Sequence, residues 1–345
     1  MVQGLFTVQE VIAMIEKGDS LLLAGDSALL KTLPKGKWIA GVTSRFIEAG
    51  KDLVTTREKI FVHNVTDIAA SVKLKEYDAS AISGIYDDAF DNGFSVLILP
   101  YSKVMFEYAF NCMNYTNFAS RALCGWISVV PVYSEYERND VSLVFSGETG
   151  LSYTESAVVM HIALPPDKYA EVHAFNPLVP EVGDVIHFEG NAQRVENVLV
   201  NGVRQNFRQY MIDRQLDRSS GNYNVLAGDY TGIIKNMNTN LAFITCKILP
   251  ETEHDEGKYV TLGNPVYKNI PYRFAKIDPA NSYSNMDRFE KDKIVFSLSC
   301  ITNYVFPDIF LKYLTQANGP FAYGEIAYFV LNQSTVYVTI GSTSN

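Results

Sequence analysis

Apolar residues along this chain fall in short blocks of four to eight that read as strands, with few windows long enough for a helix. Thr7 followed by Glu10 makes a capping box. Val8, Val11, Ile12 and Ile15 then recur at helical spacing until Gly18, which predicts a first helix. Leu21 to Ala24 reads as a short buried strand, Leu33-Pro34-Lys35-Gly36 as a turn, and Trp38 to Val42 as a second strand. Lys59 to Val65 predicts the next strand, Ala79 to Ala89 a helix, and Phe94 to Leu99 a strand ended by Pro100. Ser102 opens a helix through Asn111, and Phe118 to Leu123 continues helical before Gly125. Val141 to Phe145 and Ala157 to Leu164 close the first half as strands.

The two prolines in Phe175 to Pro180 mark a passage between halves, which places a boundary near residue 170 and divides the chain into 1–170 and 171–345. Asp184 to Gly190 alternates polar and apolar residues. Val198 to Val203 is a strand meeting the hairpin signal Asn201-Gly202. Asn206 to Leu216 predicts a helix, Leu241 to Leu249 a strand ended by Pro250, and Glu251 to Lys258 a solvated loop. In the last fifty residues an apolar strand, Ile294 to Leu298, delivers Cys300 to a turn and a helix. The chain returns through Gly319-Pro320-Phe321-Ala322-Tyr323-Gly324-Glu325-Ile326 and then Leu331-Asn332-Gln333-Ser334-Thr335.

Together these elements predict an α+β protein of two similar α/β halves, its mixed sheets flanked by helices. An internal echo supports a repeat. Gly41-Val42-Thr43-Ser44 followed by Phe61 to Thr66 parallels Tyr323 to Ile326 followed by Phe329 to Thr335, each a glycine-containing strand and then an Asn near a Thr.

Composition narrows the classes. The 47% hydrophobic and 12% aromatic content excludes a disordered chain. With 29 Lys and Arg against 38 Asp and Glu, the net charge is -9 and the basic residues are scattered, so nucleic acid is not an expected partner. No stretch approaches about 18 consecutive apolar residues, and no basic leader precedes an apolar run, so the expectation is a cytoplasmic protein without membrane insertion. The four cysteines, Cys112, Cys124, Cys246 and Cys300, form no CxxC pair, and the histidines have no HxH or HExxH spacing. Neither a metal nor another cofactor is expected, and no phosphate-binding glycine loop or nucleophile elbow occurs.

The chemistry that remains gathers near the C-terminus. A carboxylate is seldom buried without a partner, so Glu325 between apolar strands points to a lined polar pocket. It could bind an amine or hydroxyl of a ligand, act as a general acid or base, or serve structurally by accepting backbone N–H groups or pairing with an Arg. Cys300, where a strand gives way to a helix, is either a reactive thiol or a buried small residue lining the pocket. Tyr323 offers an apolar body with a polar tip beside Glu325.

The segment Tyr323-Gly324-Glu325-Ile326, preceded by a strand ending in Cys300 and followed by Asn332 to Thr335, resembles the C-terminal signature of FIST sensory domains (F-box and intracellular signal transduction proteins). The order of elements from Gly190 to Pro250 is similar as well, and Leu21 to Thr43 fits the family's N-terminal region more loosely. The resemblance implies a sensory module with N-terminal and C-terminal FIST-like domains. It would bind a small metabolite, such as an amino acid or derivative, and pass the signal to a partner protein. Cys300, Tyr323, Gly324, Glu325, Asn332 and Thr335 would line the site, with Thr43, Ser44 and Asn64 from the first half. The family has an Arg three residues after the Cys where this chain has Asn303, which leaves the charge of the ligand open. A hydrolase or transferase using Cys300 and Glu325, and an assembly protein without a ligand, are the competing readings. Apolar edge strands that need covering are compatible with a homodimer.

Overall fold

The computed structural model describes residues 2–48, 53–128, 142–176, 178–214, 225–229, 244–249, 255–277, 294–305 and 318–343. Its strands build one plan three times. The first unit runs β1 (Gln3–Phe6), α1 (Val8–Glu16), β2 (Leu21–Gly25), α2 (Ser27–Leu30), β3 (Trp38–Val42), β4 (Arg45–Ile47), β5 (Leu53–Thr55) and β6 (Ile60–Asn64). The second runs β7 (Ser71–Tyr77), a 3₁₀ turn at Ile82–Gly84, β8 (Gly93–Pro100), α3 (Lys103–Asn111), β9 (Ala122–Ser128), β10 (Val144–Ser146), β11 (Leu151–Tyr153) and β12 (Ala157–Ala163).

The third unit begins with β13 (Lys168–Phe175) and is then interrupted by an insertion. The insertion contains β14 (Leu178–Pro180), β15 (Ile186–His187), β16 (Ala192–Val195), β17 (Asn197–Val200), β18 (Val203–Asn206), α4 (Phe207–Asp213), β19 (Val225–Gly228), β20 (Ile244–Lys247), β21 (Val260–Val266) and β22 (Tyr272–Ile277). The unit resumes with β23 (Ile294–Cys300), α5 (Ile301–Val305), β24 (Gly319–Ala322), β25 (Glu325–Ala327), β26 (Phe329–Leu331) and β27 (Thr335–Ser342).

The three six-stranded sheets have equivalent strand orders: β1-β6-β2-β3-β10-β11, β7-β12-β8-β9-β25-β26 and β13-β27-β23-β24-β4-β5. In each, two strands joined through a helix lie parallel, and the strands beyond them are antiparallel. The last two strands of every sheet come from another unit. The hairpin after β9 completes the first sheet, the hairpin after β24 the second, and the hairpin after β3 the third. The exchange is therefore cyclic.

Registers fix which residues correspond. Ala24 pairs with Gly41 and Phe61, Ile98 with Trp126 and Val158, and Ser299 with Phe321 and Thr335. Cys300 thus corresponds to Gly25 and Leu99. Strands buried on both faces explain the continuous apolar runs of β2, β3, β6 and β9, in which every residue is buried.

The units are laced where β3, β9 and β24 end. Thr43 Oγ1 donates to the Phe321 carbonyl at 2.9 Å, Val42 N donates to Ser128 Oγ at 2.7 Å, and Ile127 N donates to the Gly324 carbonyl at 2.9 Å. The sheet faces meet in a shared core. The Trp126 ring stacks on Phe296 with centroids 6.0 Å apart, and a Cβ on Gly41 would fall 2.6 Å from Trp126 Nε1, so β3 approaches that indole only because it carries no side chain there.

The insertion has a seven-stranded sheet of its own, β18-β17-β15-β22-β19-β20 with β14 on β22, and a pair β16-β21. It packs on the repeats through Tyr267 Oη to the Ala109 carbonyl at 2.7 Å and Asn264 Nδ2 to the Val330 carbonyl at 2.9 Å.

The α+β class with mixed sheets expected from the pattern is what the chain forms, and its internal repeat is threefold. Strands on either side of residue 170 share the second and third sheets. Only half of the sequence echo is a structural equivalence. Thr43-Ser44 and Tyr323-Gly324 do occupy matching turns, but the counterpart of Phe61 is Thr335, not a residue near Phe329.

Other elements differ locally. The expected helix over Ala79 to Ala89 is reduced to the 3₁₀ turn, although the Asp78 side chain accepts from Ser80 N and Ala81 N as a helix cap does. Phe118 to Leu123 is a turn with left-handed Asn117 and Ala119, since Ala122 and Leu123 must be extended to pair with β8. The Asn201-Gly202 hairpin forms as expected, with both residues at positive φ. The expected strand starts at Val141 and Leu241, much of the Glu251 to Lys258 loop and the end of the Asn206 to Leu216 helix lie outside the described residues.

Candidate ligand-binding site

At the end of β23 the chain gathers buried polar groups, some of them where the first two units have apolar residues: Ser299 matches Ala24 and Ile98, and Thr335 matches Phe61 and Val158. Cys300 N donates to the Ser334 carbonyl at 2.9 Å, and Thr302 Oγ1 donates to Cys300 Sγ at 2.9 Å. Behind it, the hydroxyls of Ser299 and Thr335 share a 2.9 Å hydrogen bond across β23 and β27. Glu325, the first residue of β25, accepts from Ser334 N through Oε2 at 3.2 Å. Ser334 belongs to the tight turn Asn332-Gln333-Ser334 between β26 and β27, in which Gln333 is left-handed at φ 59°. The backbone N–H of Gln333 is directed at the Cys300 sulfur. Asn303 lies three residues beyond Cys300, on the first turn of α5.

Glu325, Asn303 and Gln333 have no solvent exposure. Glu325 Oε1, both amide atoms of Asn303 and both amide atoms of Gln333 have no hydrogen-bond partner among the described residues. A buried side-chain polar atom is almost always paired with protein or ordered water, so five such atoms within one turn or one hydrogen bond of Cys300 form a site with unmet capacity. Trp126 adds to it. It stands directly opposite Glu325 in the β9–β25 pair, which sends both side chains to the same sheet face, and its indole Nε1 is buried and unpartnered too.

Burial holds the Glu325 carboxyl well above the usual carboxylate range. The Cys300 thiol and the Ser334 N–H oppose that shift only in part, and no Lys or Arg among the described residues contributes. Burial, and then the neighbouring Glu325, push the Cys300 thiol up. Both shifts favour the uncharged forms, the carboxylic acid and the thiol. The thiolate is the nucleophilic form of cysteine, so Cys300 is poorly set for covalent chemistry. His63 and His161 bond elsewhere, to the Asn318 carbonyl and to Ser95 and Tyr77. Among the described residues no group of three or more His, Cys, Asp or Glu is placed to hold a metal, and no helix is long and apolar enough to cross a membrane.

The residues expected from the sequence fall into three sets. Cys300, Glu325, Asn332 and Thr335 come together here, with half-buried Tyr323 two residues before Glu325. Gly324, Thr43 and Ser44 lie at the lacing between units. A Cβ on Gly324 would meet Ile127 Cδ1 at 2.7 Å, the Thr43 hydroxyl is spent on Phe321, and the Ser44 carbonyl accepts from Thr56 N. Asn64 sits at the opposite end of its strand. Its amide donates to Asp19 at 2.9 Å and accepts from Thr66 N at 3.0 Å, a local structural role.

Sequence reasoning passed over Gln333 and Trp126, and read Asn303 only as a departure from a pattern. The run Asn332-Gln333-Ser334-Thr335 between two apolar strands is the signal that points to Gln333. Nothing local marks Trp126, which comes to stand opposite Glu325 through pairing with a strand about 200 residues away in sequence, its indole Nε1 lying against Gly41.

A threefold-repeated α+β protein in which one unit carries a buried polar cluster is the class that fold and site define. Residues 6–341 match the family of unknown function DUF6976, and the chain belongs to that family. No curated protein matches the chain.

Proposed function

We propose that this protein is a small-molecule-binding sensory protein whose ligand, a small polar metabolite such as an amino acid or derivative, occupies the Glu325–Gln333–Asn303 cluster. The observation that carries this reading is the set of five unpartnered buried polar atoms beside Cys300. An interior that leaves donors and acceptors unpaired gives up roughly 1–3 kcal/mol for each group, a cost that a bound polar molecule removes.

The turn beside the cluster supports a sensory role. On one side, Ser334 holds Glu325 and Cys300. On the other, Asn332 N donates to the Thr245 carbonyl at 3.3 Å and the Thr245 hydroxyl donates to the Asn332 carbonyl, tying the turn to β20 of the insertion. A ligand that shifts Gln333 therefore acts on the insertion through one residue step, and the insertion surface is where a partner protein would receive the signal. The resemblance of Tyr323 to Ile326 to FIST sensory domains agrees with this.

The test is a thermal-shift screen of amino acids, nucleotides, sugars, organic acids and amides on wild type and Asn303→Leu. A ligand at 100 times its Kd adds about 2.7 kcal/mol. A hit on wild type that the variant loses supports the reading, whereas a screen without any shift counts against it.

A further inference from the structure

We infer that the part of the ligand entering this cluster is an uncharged carboxamide. This rests on the ligand-binding reading above and adds the chemical class of the group recognised.

The unmet groups include both donors and acceptors. Glu325 Oε2 already accepts from Ser334 N, so in the neutral acid it is the carbonyl-type oxygen and Oε1 carries the hydrogen, an O–H donor with no partner. Trp126 Nε1 is a second donor, and the Asn303 and Gln333 amides each present N–H donors and a carbonyl acceptor. Both atoms of each amide are unpartnered, so the inventory is the same whichever way either amide is turned.

A carboxamide answers this set, because its oxygen takes two donors and its nitrogen supplies two N–H groups. A carboxylate has acceptors only and would leave the Asn303 and Gln333 carbonyls unmet. An ammonium has donors only and would leave Oε1–H and the indole N–H unmet. Either ion would also have to be desolvated beside a carboxyl that no Lys or Arg among the described residues influences. Cys300 is the titratable side chain that faces Glu325.

Three fragments of matched shape separate these cases: propionamide, propionate and propylammonium, with glutamine and glutamate as a longer pair. Each is titrated at pH 7 by thermal shift and calorimetry against wild type, Glu325→Gln and Asn303→Leu. The expected result is a saturable rise in Tm of about 2 °C or more with the amides alone. The rise persists in Glu325→Gln, where an amide N–H replaces the acid O–H, and disappears in Asn303→Leu. Stabilisation by propylammonium that is lost in Glu325→Gln, or by the carboxylates alone, overturns the carboxamide and leaves a binding site standing. If the broad screen gives hits but no amide does, the carboxamide falls as well. Absence of any hit in both experiments removes the binding site itself.

Discussion

Trp126 and Glu325 stand directly opposite one another in the antiparallel pair of β9 and β25, although one belongs to the second repeat and the other to the third. Each has a buried polar atom with no partner among the described residues, the indole Nε1 and the carboxyl Oε1. The cyclic exchange of hairpins creates this pairing. The corresponding pair in the first sheet is Gly41 with Val144, which has no polar side chain. In the third sheet the same register continues to Phe321 opposite Arg45, so the three equivalent positions carry Val144, Glu325 and Arg45.

A site kept polar for binding should cost stability when empty. Asn303→Leu removes two unpaired buried polar atoms without creating a large void, so the ligand-free protein is expected to gain about 1–2 kcal/mol. The midpoint of urea unfolding checks this. A loss of stability instead would mean that the Asn303 amide is satisfied in solution.

The raised carboxyl of Glu325 sets a pH dependence. The folded protein holds a proton there that the unfolded chain releases above about pH 4.5, so this contribution to stability is complete in acid and declines as pH rises toward the folded pKa. The slope for one proton is at most about 1.4 kcal/mol per pH unit. Glu325→Gln keeps the shape and cannot ionise, so its advantage over wild type should grow from pH 5 to pH 8 in parallel unfolding curves. A difference that stays constant over that range would contradict a neutral Glu325.

Three buried histidines act in the opposite direction. Burial lowers His63, His161 and His173 to about 4, so in the unfolded chain they take up protons below about pH 6.5 while the folded protein resists them. Their contribution is fully present above that value and is lost as pH falls toward about 4, by up to about 1.4 kcal/mol per pH unit for each. For His161 the hydrogen bonds to Ser95 Oγ at 2.7 Å and Tyr77 Oη at 3.1 Å fix the ring between two hydroxyls. Replacing it by Gln should flatten acid unfolding between pH 6.5 and pH 4, read from circular dichroism.

Coupling between the cluster and the insertion is tested at Thr245. Thr245→Val leaves the buried Asn332 carbonyl without its hydroxyl donor, at a cost of about 1–3 kcal/mol. Hydrogen exchange should quicken at the Asn332 to Ser334 turn and in β20, while β1, β2 and β6 are unchanged. Equal acceleration throughout the chain would mean global destabilisation with no private link.

Much of the scaffold is legible in the sequence because its strands are buried on both faces. Leu21 to Ala24, Trp38 to Val42 and Phe94 to Leu99 declare themselves as apolar runs, and Thr7 with Glu10 closes the capping box as read. The expected helix over Ala79 to Ala89 shrinks to one 3₁₀ turn even though Asp78 caps its first N–H groups. The threefold plan stays hidden, because it resides in strand order and register while the side chains at equivalent positions, such as Gly25, Leu99 and Cys300, share nothing. Glu325 and Cys300 were readable as a buried carboxyl and its neighbour. Asn64, chosen on the same kind of pattern, serves Asp19 and Thr66 at the far end of its strand.

The most direct measurement is a high-resolution crystal structure of the protein purified without added ligand, read for electron density among Glu325 Oε1, Trp126 Nε1, Asn303 and Gln333. A discrete molecule, or a group of ordered waters that an added amide displaces, is the expected result. A dry cluster in which these side chains have turned to satisfy one another would contradict the ligand-binding reading.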